Sequence, residues 1–279
     1  MSRLVPAHSP AMRLLTAGAV IGLLAGAARA AQTGSLPDFS LSGVAWIATS
    51  QDYISLPGGP SPTTNDPKHP FVPNGRGAQP TYRVADLTNP NLKDWATAEM
   101  KKANDDVLAG KIGYTARSSC MPAGVPDFMA FIVEPVYFIQ SPKEVLMVYA
   151  GNQEVRRVYM DAPHARNPKP SWYGDAVGHY EGDTLVIDTV GMNAKTYVDN
   201  YRTPHTEKLH VVEHWKLIDG GKTLEVNFTA DDPDTFNRPW SAIQRYRRVQ
   251  QGPLDEQVCA ENNTALFDYH IPQAEKPDF

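Results

Sequence analysis

SWYGDAVGHYEGDTLVIDTVGMN, residues 171–193, writes a β-hairpin. Gly182-Asp183 is the Gly-X pair of a two-residue II′ turn, flanked by runs rich in Val and Ile. That turn sets Glu181 opposite Thr184, Tyr180 opposite Leu185, His179 opposite Val186 and Val177 opposite Asp188. Side chains alternate across a strand, so Gly178, Tyr180, Leu185 and Ile187 share one face and Val177, His179, Glu181, Val186 and Asp188 the other. His179 and Asp188 become diagonal neighbours, and a His held by a carboxylate is a usable acid–base pair near neutral pH.

Outward from this hairpin the chain reads as strands. Residues 131–139, 145–149, 155–160, 176–180, 185–190, 209–218, 223–229 and 241–249 are short, β-branched or aromatic, and are mostly separated by compact turns. The fold class expected is mainly β: an antiparallel β-barrel of lipocalin-like build, or a sandwich, over 131–249. A barrel of this size holds one small ligand. Upstream lies a loop-rich arm over 31–90, with Pro57, Pro60, Pro62, Pro67, Pro70, Pro73 and Pro80. One helix is expected over 91–109, capped by Asn89 with Pro90 behind it, carrying a stripe through Leu92, Trp95, Ala96, Met100, Ala103 and Val107, and closed by Gly110. Residues 250–279 form a tail, and 31–279 reads as a single β-rich domain.

The first thirty residues read as an export signal. Arg3 and Arg13 supply a positive start, Leu14 to Ala27 an apolar run, and Ala28-Arg29-Ala30 a cleavage site. A periplasmic or secreted protein is expected. Cleavage removes Arg3, Arg13 and Arg29 and no acid, leaving 249 residues with 23 basic and 31 acidic side chains, net −8. That acidity argues against nucleic acid as a partner, and no membrane association is expected after cleavage. Cys120 and Cys259 are the only cysteines. In an oxidising compartment they are expected to pair, stabilising the fold by about 3–5 kcal/mol through loop closure.

Glu213 is the residue singled out for chemistry. With Gly220-Gly221 as the turn, Leu217 faces Leu224, Trp215 faces Val226 and Glu213 faces Phe228, so Glu213 shares an apolar face with Val211. Desolvation raises the pKa of such a carboxyl unless a cation compensates, and a raised carboxyl serves as a general acid or base; the structural alternative is an ion pair with Arg156 or Arg245. His210-Val-Val-Glu213-His214 matches the H-x-x-E-H zinc pattern, but a strand sends Glu213 to the opposite side from the histidines. His164, His179 and His205 lie near loops or strand ends, without metal-site spacing. Asp231-Asp232-Pro233-Asp234 reads as a solvated turn. Arg156, Tyr159, Asp161, Trp172, Tyr173, Asn193 and Tyr201 are candidate ligand-binding residues on strand ends and loops. No dinucleotide fingerprint, phosphate loop or nucleophile elbow is present, so no cofactor is expected.

Several motifs together resemble a large family of exported bacterial proteins, usually labelled only as hypothetical. They are Cys120-Met-Pro-Ala-Gly-Val-Pro126, Arg156-Arg-Val-Tyr-Met-Asp161, Gly178-His-Tyr-Glu-Gly-Asp-Thr-Leu-Val186, Leu209-His-Val-Val-Glu213, Asp231-Asp-Pro233, Arg238-Pro-Trp240 and Cys259-Ala-Glu-Asn-Asn263. Tyr180 stands where the family usually has Trp and His214 where it usually has Arg. His164 follows Asp-x-x in place of the family's Asp-Gly-Arg-x-His-Pro. The resemblance implies that the motif residues form one unit and implies no particular activity. The expected function is acid–base chemistry on a small organic molecule, by hydrolysis, elimination or isomerisation, using Glu213, His179 and Asp188 in a barrel pocket. The alternatives are a small-molecule carrier and a metal-dependent hydrolase built on a histidine cluster.

Overall fold

The central hairpin forms in the register its turn dictates. Asp175–Glu181 pairs antiparallel with Thr184–Val190, with His179 opposite Val186 and Val177 opposite Asp188. Gly182 has φ 64°, the left-handed value a II′ turn asks of its first central residue. The computed structural model describes residues 36–40, 44–71, 83–111, 113–132, 134–151, 154–250 and 258. The expected export signal, Pro73, Pro80, Cys259 and all of the tail except Gln250 and Val258 lie outside the described residues.

In chain order the elements are β1 (Val44–Ala48), β2 (Ile54–Ser55), α1 (Asp94–Leu108), β3 (Val136–Gln140), β4 (Glu144–Tyr149), β5 (Val155–Met160), β6 (Asp175–Glu181), β7 (Thr184–Val190), β8 (His210–Ile218), β9 (Thr223–Asp231) and β10 (Trp240–Gln250). Among the described residues β3 to β10 follow one another around a wall, and β1 pairs with both β3 and β10, closing nine strands into a barrel. Closure excludes the sandwich. β2 adds a short pairing to β10.

Five expectations need correction. The barrel is not wholly antiparallel: β5 and β6 run parallel, joined through Tyr159 opposite Val177 and Met160 opposite Gly178. Segment 161–174 crosses over between them, because a parallel pair needs a long return connection. β1 falls within the expected arm; its five residues, VAWIA, lack the polar alternation that marks a half-buried strand. β3 begins at Val136, not 131, because Asp127–Ala130 form a 3₁₀ turn. Helix α1 starts after Lys93: the Asn89 side chain accepts from the Asn91 N–H in a local turn instead of capping. Trp95 also leaves the expected buried stripe and is 39% exposed.

The barrel interior is filled. Val211, Glu213 and Trp215 from β8 meet Leu224, Val226 and Phe228 from β9, all fully buried. The Trp215 ring lies 5.5 Å from Tyr246, 5.7 Å from Phe138 and 6.4 Å from Phe128. A packed aromatic core occupies the space a lipocalin-like hollow would need. Phe128 and Met129 come from the segment after Cys120, which enters the barrel as a plug. Wall tyrosines hold its backbone: Tyr149 donates to the Phe128 carbonyl at 2.5 Å, Tyr246 to Met129 at 3.0 Å and Tyr53 to Pro126 at 3.0 Å. Gly124 in this segment has φ 76°, and a Cβ there would meet Thr196 Oγ1 at 2.5 Å. The C-x-P-x-G-x-P motif thus has a packing role.

Candidate functional site

The outer wall carries a connected chain of ionisable groups. Across it, Tyr159, Val177, Asp188 and Val212 stand in one row through the β5–β6, β6–β7 and β7–β8 registers. Asp188 sits between two imidazoles: its Oδ1 lies 2.8 Å from His210 Nε2 and 3.1 Å from His164 Nε2. The other nitrogen of His164 lies 3.0 Å from Asp175 Oδ2, which also accepts the Ala165 N–H at 2.8 Å. The chain is therefore Asp175–His164–Asp188–His210.

Its geometry follows from the crossover. Pro163, Pro168 and Pro170 favour an extended path for 161–174. The Ser171 N–H donates to the Gly191 carbonyl and Asn193 N–H to the Ser171 carbonyl, tying the loop to the end of β7. His164 is thereby laid over the strands that bear Asp175 and Asp188. Since a carboxylate only accepts, His210 must donate through Nε2, which places its lone pair on Nδ1. The side chains of His210 and Asp188 are 42% and 40% exposed, so the pair is open to solvent. His164 faces a carboxylate oxygen at each nitrogen.

The expected His179–Asp188 pair does not form. His179 Nε2 lies 3.0 Å from Glu181 Oε1, two residues along the same strand and face. This contact and the attendant charge hold the Glu181 carboxyl below its ordinary value. Asp188 takes its diagonal partner from β8 instead, and the twist of adjacent strands selects between such diagonals.

Glu213 stands on the other side of the wall. It pairs opposite Ile187, one residue out of phase with Asp188, so the three expected catalytic groups do not converge. Inside the barrel, Arg156 Nη1 donates to both Glu213 oxygens at 2.8 and 3.0 Å, and Arg156 Nη2 donates to Thr189 Oγ1 at 2.8 Å. The Arg156 guanidinium also lies 4.8 Å from the Phe128 ring centroid. Burial pushes the Glu213 carboxyl above its ordinary value, and the Arg156 charge and hydrogen bonds oppose this. With exposures of 0% and 1% the pair meets no solute in this arrangement. Arg245 pairs with Glu225 on the outside. Strand β8 confirms the phase argument against the zinc pattern, since His210 and His214 face outward while Glu213 faces inward.

The candidate ligand residues scatter. Tyr159 belongs to the outer row, and Asp161 lines a cleft of about 560 Å³ with Asp38 and Tyr180. Arg156 is internal, and Trp172 is half-buried. Tyr173 packs on Phe128 and donates to Glu154. The Asn193 side chain accepts from the Lys195 N–H. Tyr201 is buried, donating to Asp52 at 2.9 Å beside Arg83. Asp232 is not solvated: fully buried, it accepts from the N–H and hydroxyl of Thr206 and from the Thr235 hydroxyl.

Sequence reasoning missed His164 and His210 as partners of Asp188, and Asp175 as the partner behind His164. Carrying the hairpin register one strand further, to Asp188 opposite Val212, would have exposed His210. It also missed Asp127 on the plug. Burial pushes this carboxyl up to about 7; Arg117 opposes the shift, while Asp199 and Glu154 add to it. Asp199 is itself pushed up to about 6 by burial, against hydrogen bonds from Thr203 and Tyr201. Among the described residues no group of three His, Cys, Asp or Glu side chains is arranged to hold a metal ion. No protein-family model and no curated protein matches the chain.

Proposed function

We propose that the chain is an exported enzyme performing cofactor-independent acid–base chemistry on a small organic molecule, by hydrolysis, elimination or isomerisation. His210 is its general base on the outer wall. The observation that carries this reading is the contact of Asp188 with two imidazoles, one of them braced from behind by Asp175. A carboxylate at Nε2 orients the ring, directs basicity to Nδ1 and stabilises the imidazolium formed when a proton is taken. Tyr159, Val177 and Val212 provide an apolar bed beside it. The filled interior weighs against a carrier that encloses its ligand in the barrel. Export and the Cys120–Cys259 disulfide belong to the same proposal, an oxidising compartment favouring the bond.

The test is turnover of a panel of para-nitrophenyl esters and β-eliminating ketones by the purified chain. His210→Gln and Asp188→Asn should each lower kcat/KM by about 10²–10⁴, while His179→Gln leaves it near the parent value. Unchanged turnover in the first two variants overturns the assignment. Absence of turnover across the panel by the parent chain also counts against the enzyme reading.

A further inference from the structure

The plug meets the loop between β7 and β8 along a seam that carries two carboxylates. The Tyr53 hydroxyl lies 3.0 Å from the Pro126 carbonyl of the plug and 3.1 Å from the Val198 carbonyl of the loop. One hydroxyl proton serves two acceptors there, so neither carbonyl has a full hydrogen bond of its own. Where Gly124 passes the same loop, a Cβ would meet Thr196 Oγ1 at 2.5 Å. Plug residues 124–127 therefore face loop residues 196–199, and the residues next after the two bridged carbonyls are Asp127 and Asp199.

These carboxylates differ in their support. Asp199 accepts from the Tyr201 N–H at 2.8 Å, the Thr203 hydroxyl at 2.7 Å and the Thr203 N–H at 3.2 Å. Among the described residues no hydrogen bond or ion pair reaches the partly exposed Asp127 carboxylate. The charges around it come from Arg117 ahead of the plug, Asp199 on the loop and Glu154 ahead of β5. Arg117 lies 3.7 Å over the Phe131 ring and buries its Nη2 without a partner. Glu154 is taken by the Tyr173 hydroxyl and the Ala123 N–H. Burial pushes Asp127 up to about 7, Arg117 opposing and Asp199 and Glu154 adding, and burial pushes Asp199 up to about 6, so both charges develop in one pH window. Phe128, next to Asp127, lies 4.8 Å from the Arg156 guanidinium and 6.4 Å from Trp215, so its withdrawal uncovers the Arg156–Glu213 pair.

We propose that segment 123–130 is a pH-sensitive stopper, docked over the Arg156–Glu213 pair while Asp127 is protonated and released as Asp127 ionises opposite Asp199. The undocked carboxyl returns to its ordinary 3.8, so docking is tightest below pH 3.8, weakens as pH rises towards 7 and then levels off. The test is amide hydrogen exchange of the full chain from pH 5 to 8, with rates corrected for the intrinsic effect of pH. The Phe128 and Met129 N–H groups, bonded to the Gly124 and Pro126 carbonyls, report docking, and the β8 amides report global opening. Plug opening should exceed β8 opening at least tenfold at every pH, as local release requires. It should rise about tenfold from pH 5 to 7 and little beyond, partial exposure screening part of the shift. Asp127→Asn keeps the shape and the tyrosine contacts, and should leave plug opening constant across the range. A flat profile in the parent, equal opening of plug and β8, or persistence of the rise in Asp127→Asn overturns the proposal.

Discussion

The two sides of one strand make the sharpest contrast in the molecule. His210 and Glu213, three residues apart on β8, each meet a partner of opposite formal character, one outside and one inside the barrel. Inside, Arg156–Glu213 is dry, packed by Phe128 and Trp215. Outside, Asp188 and its imidazoles are reachable by water and solutes. A buried charge pair costs desolvation on both partners and leaves little freedom to exchange a proton, whereas a half-exposed chain does so readily. A carboxylate on an apolar face is therefore a sign of packing here, and the proposed chemistry lies where the strand looks ordinary.

The largest expected effect tests the inner side. Arg156→Met or Glu213→Leu alone leaves an uncompensated buried charge and should cost about 3–5 kcal/mol by urea denaturation. The two changes together should cost far less than their sum and approach the parent. The two losses should also differ with pH. In Arg156→Met the orphaned Glu213 carboxyl loses its opposing cation and takes up a proton, so destabilisation should grow as pH rises from about 5 to 8. A single loss below about 1 kcal/mol would break the contrast, placing Glu213 in contact with water.

A smaller effect is expected at the plug. The folded Asp127 carboxyl, at about 7 against an ordinary 3.8, binds a proton through a window in which the unfolded chain has none. Its favourable term is fully present below pH 3.8 and is lost as pH rises towards 7. Asp127→Asn removes that penalty and should stabilise the chain by about 1–2 kcal/mol at pH 8, allowing for its partial exposure, with little change at pH 4. Equal effects at the two pH values would show that the carboxyl is already ionised and solvated.

The register of both hairpins was legible because a period of two, anchored by Gly182 or Gly220-Gly221, leaves each side chain a single face. The opposition of Glu213 to Phe228 followed from that arithmetic. The choice between acid and ion pair did not, because Arg156 reaches Glu213 from β5, three strands round the barrel. Long-range closure was not legible. β1 pairs with residues some two hundred positions away, and nothing local in VAWIA specifies that partner. His164 reaches Asp188 only through a crossover whose parallel return depends on the whole barrel. The plug was hidden for a related reason: its carbonyls are claimed by tyrosines from distant segments.

The smallest expected stability effect falls on the outer side, where it separates function from packing. Asp188→Asn keeps the shape but withdraws a charge from two imidazoles that are themselves partly exposed. Solvent screening limits such pairs, so unfolding free energy should change by less than about 1 kcal/mol, and less again in high salt. The same substitution removes the carboxylate that orients His210, so its effect on turnover should exceed its effect on stability by orders of magnitude. Histidine side-chain resonances followed by NMR give a readout independent of any substrate: those of His164 and His210, which touch Asp188, should move in Asp188→Asn, while those of His179, held by Glu181, should stay at their parent positions. If the His179 resonances move with the others, the outer wall behaves as one solvated field of charge, and the inner and outer faces of β8 no longer divide packing from the proposed chemistry.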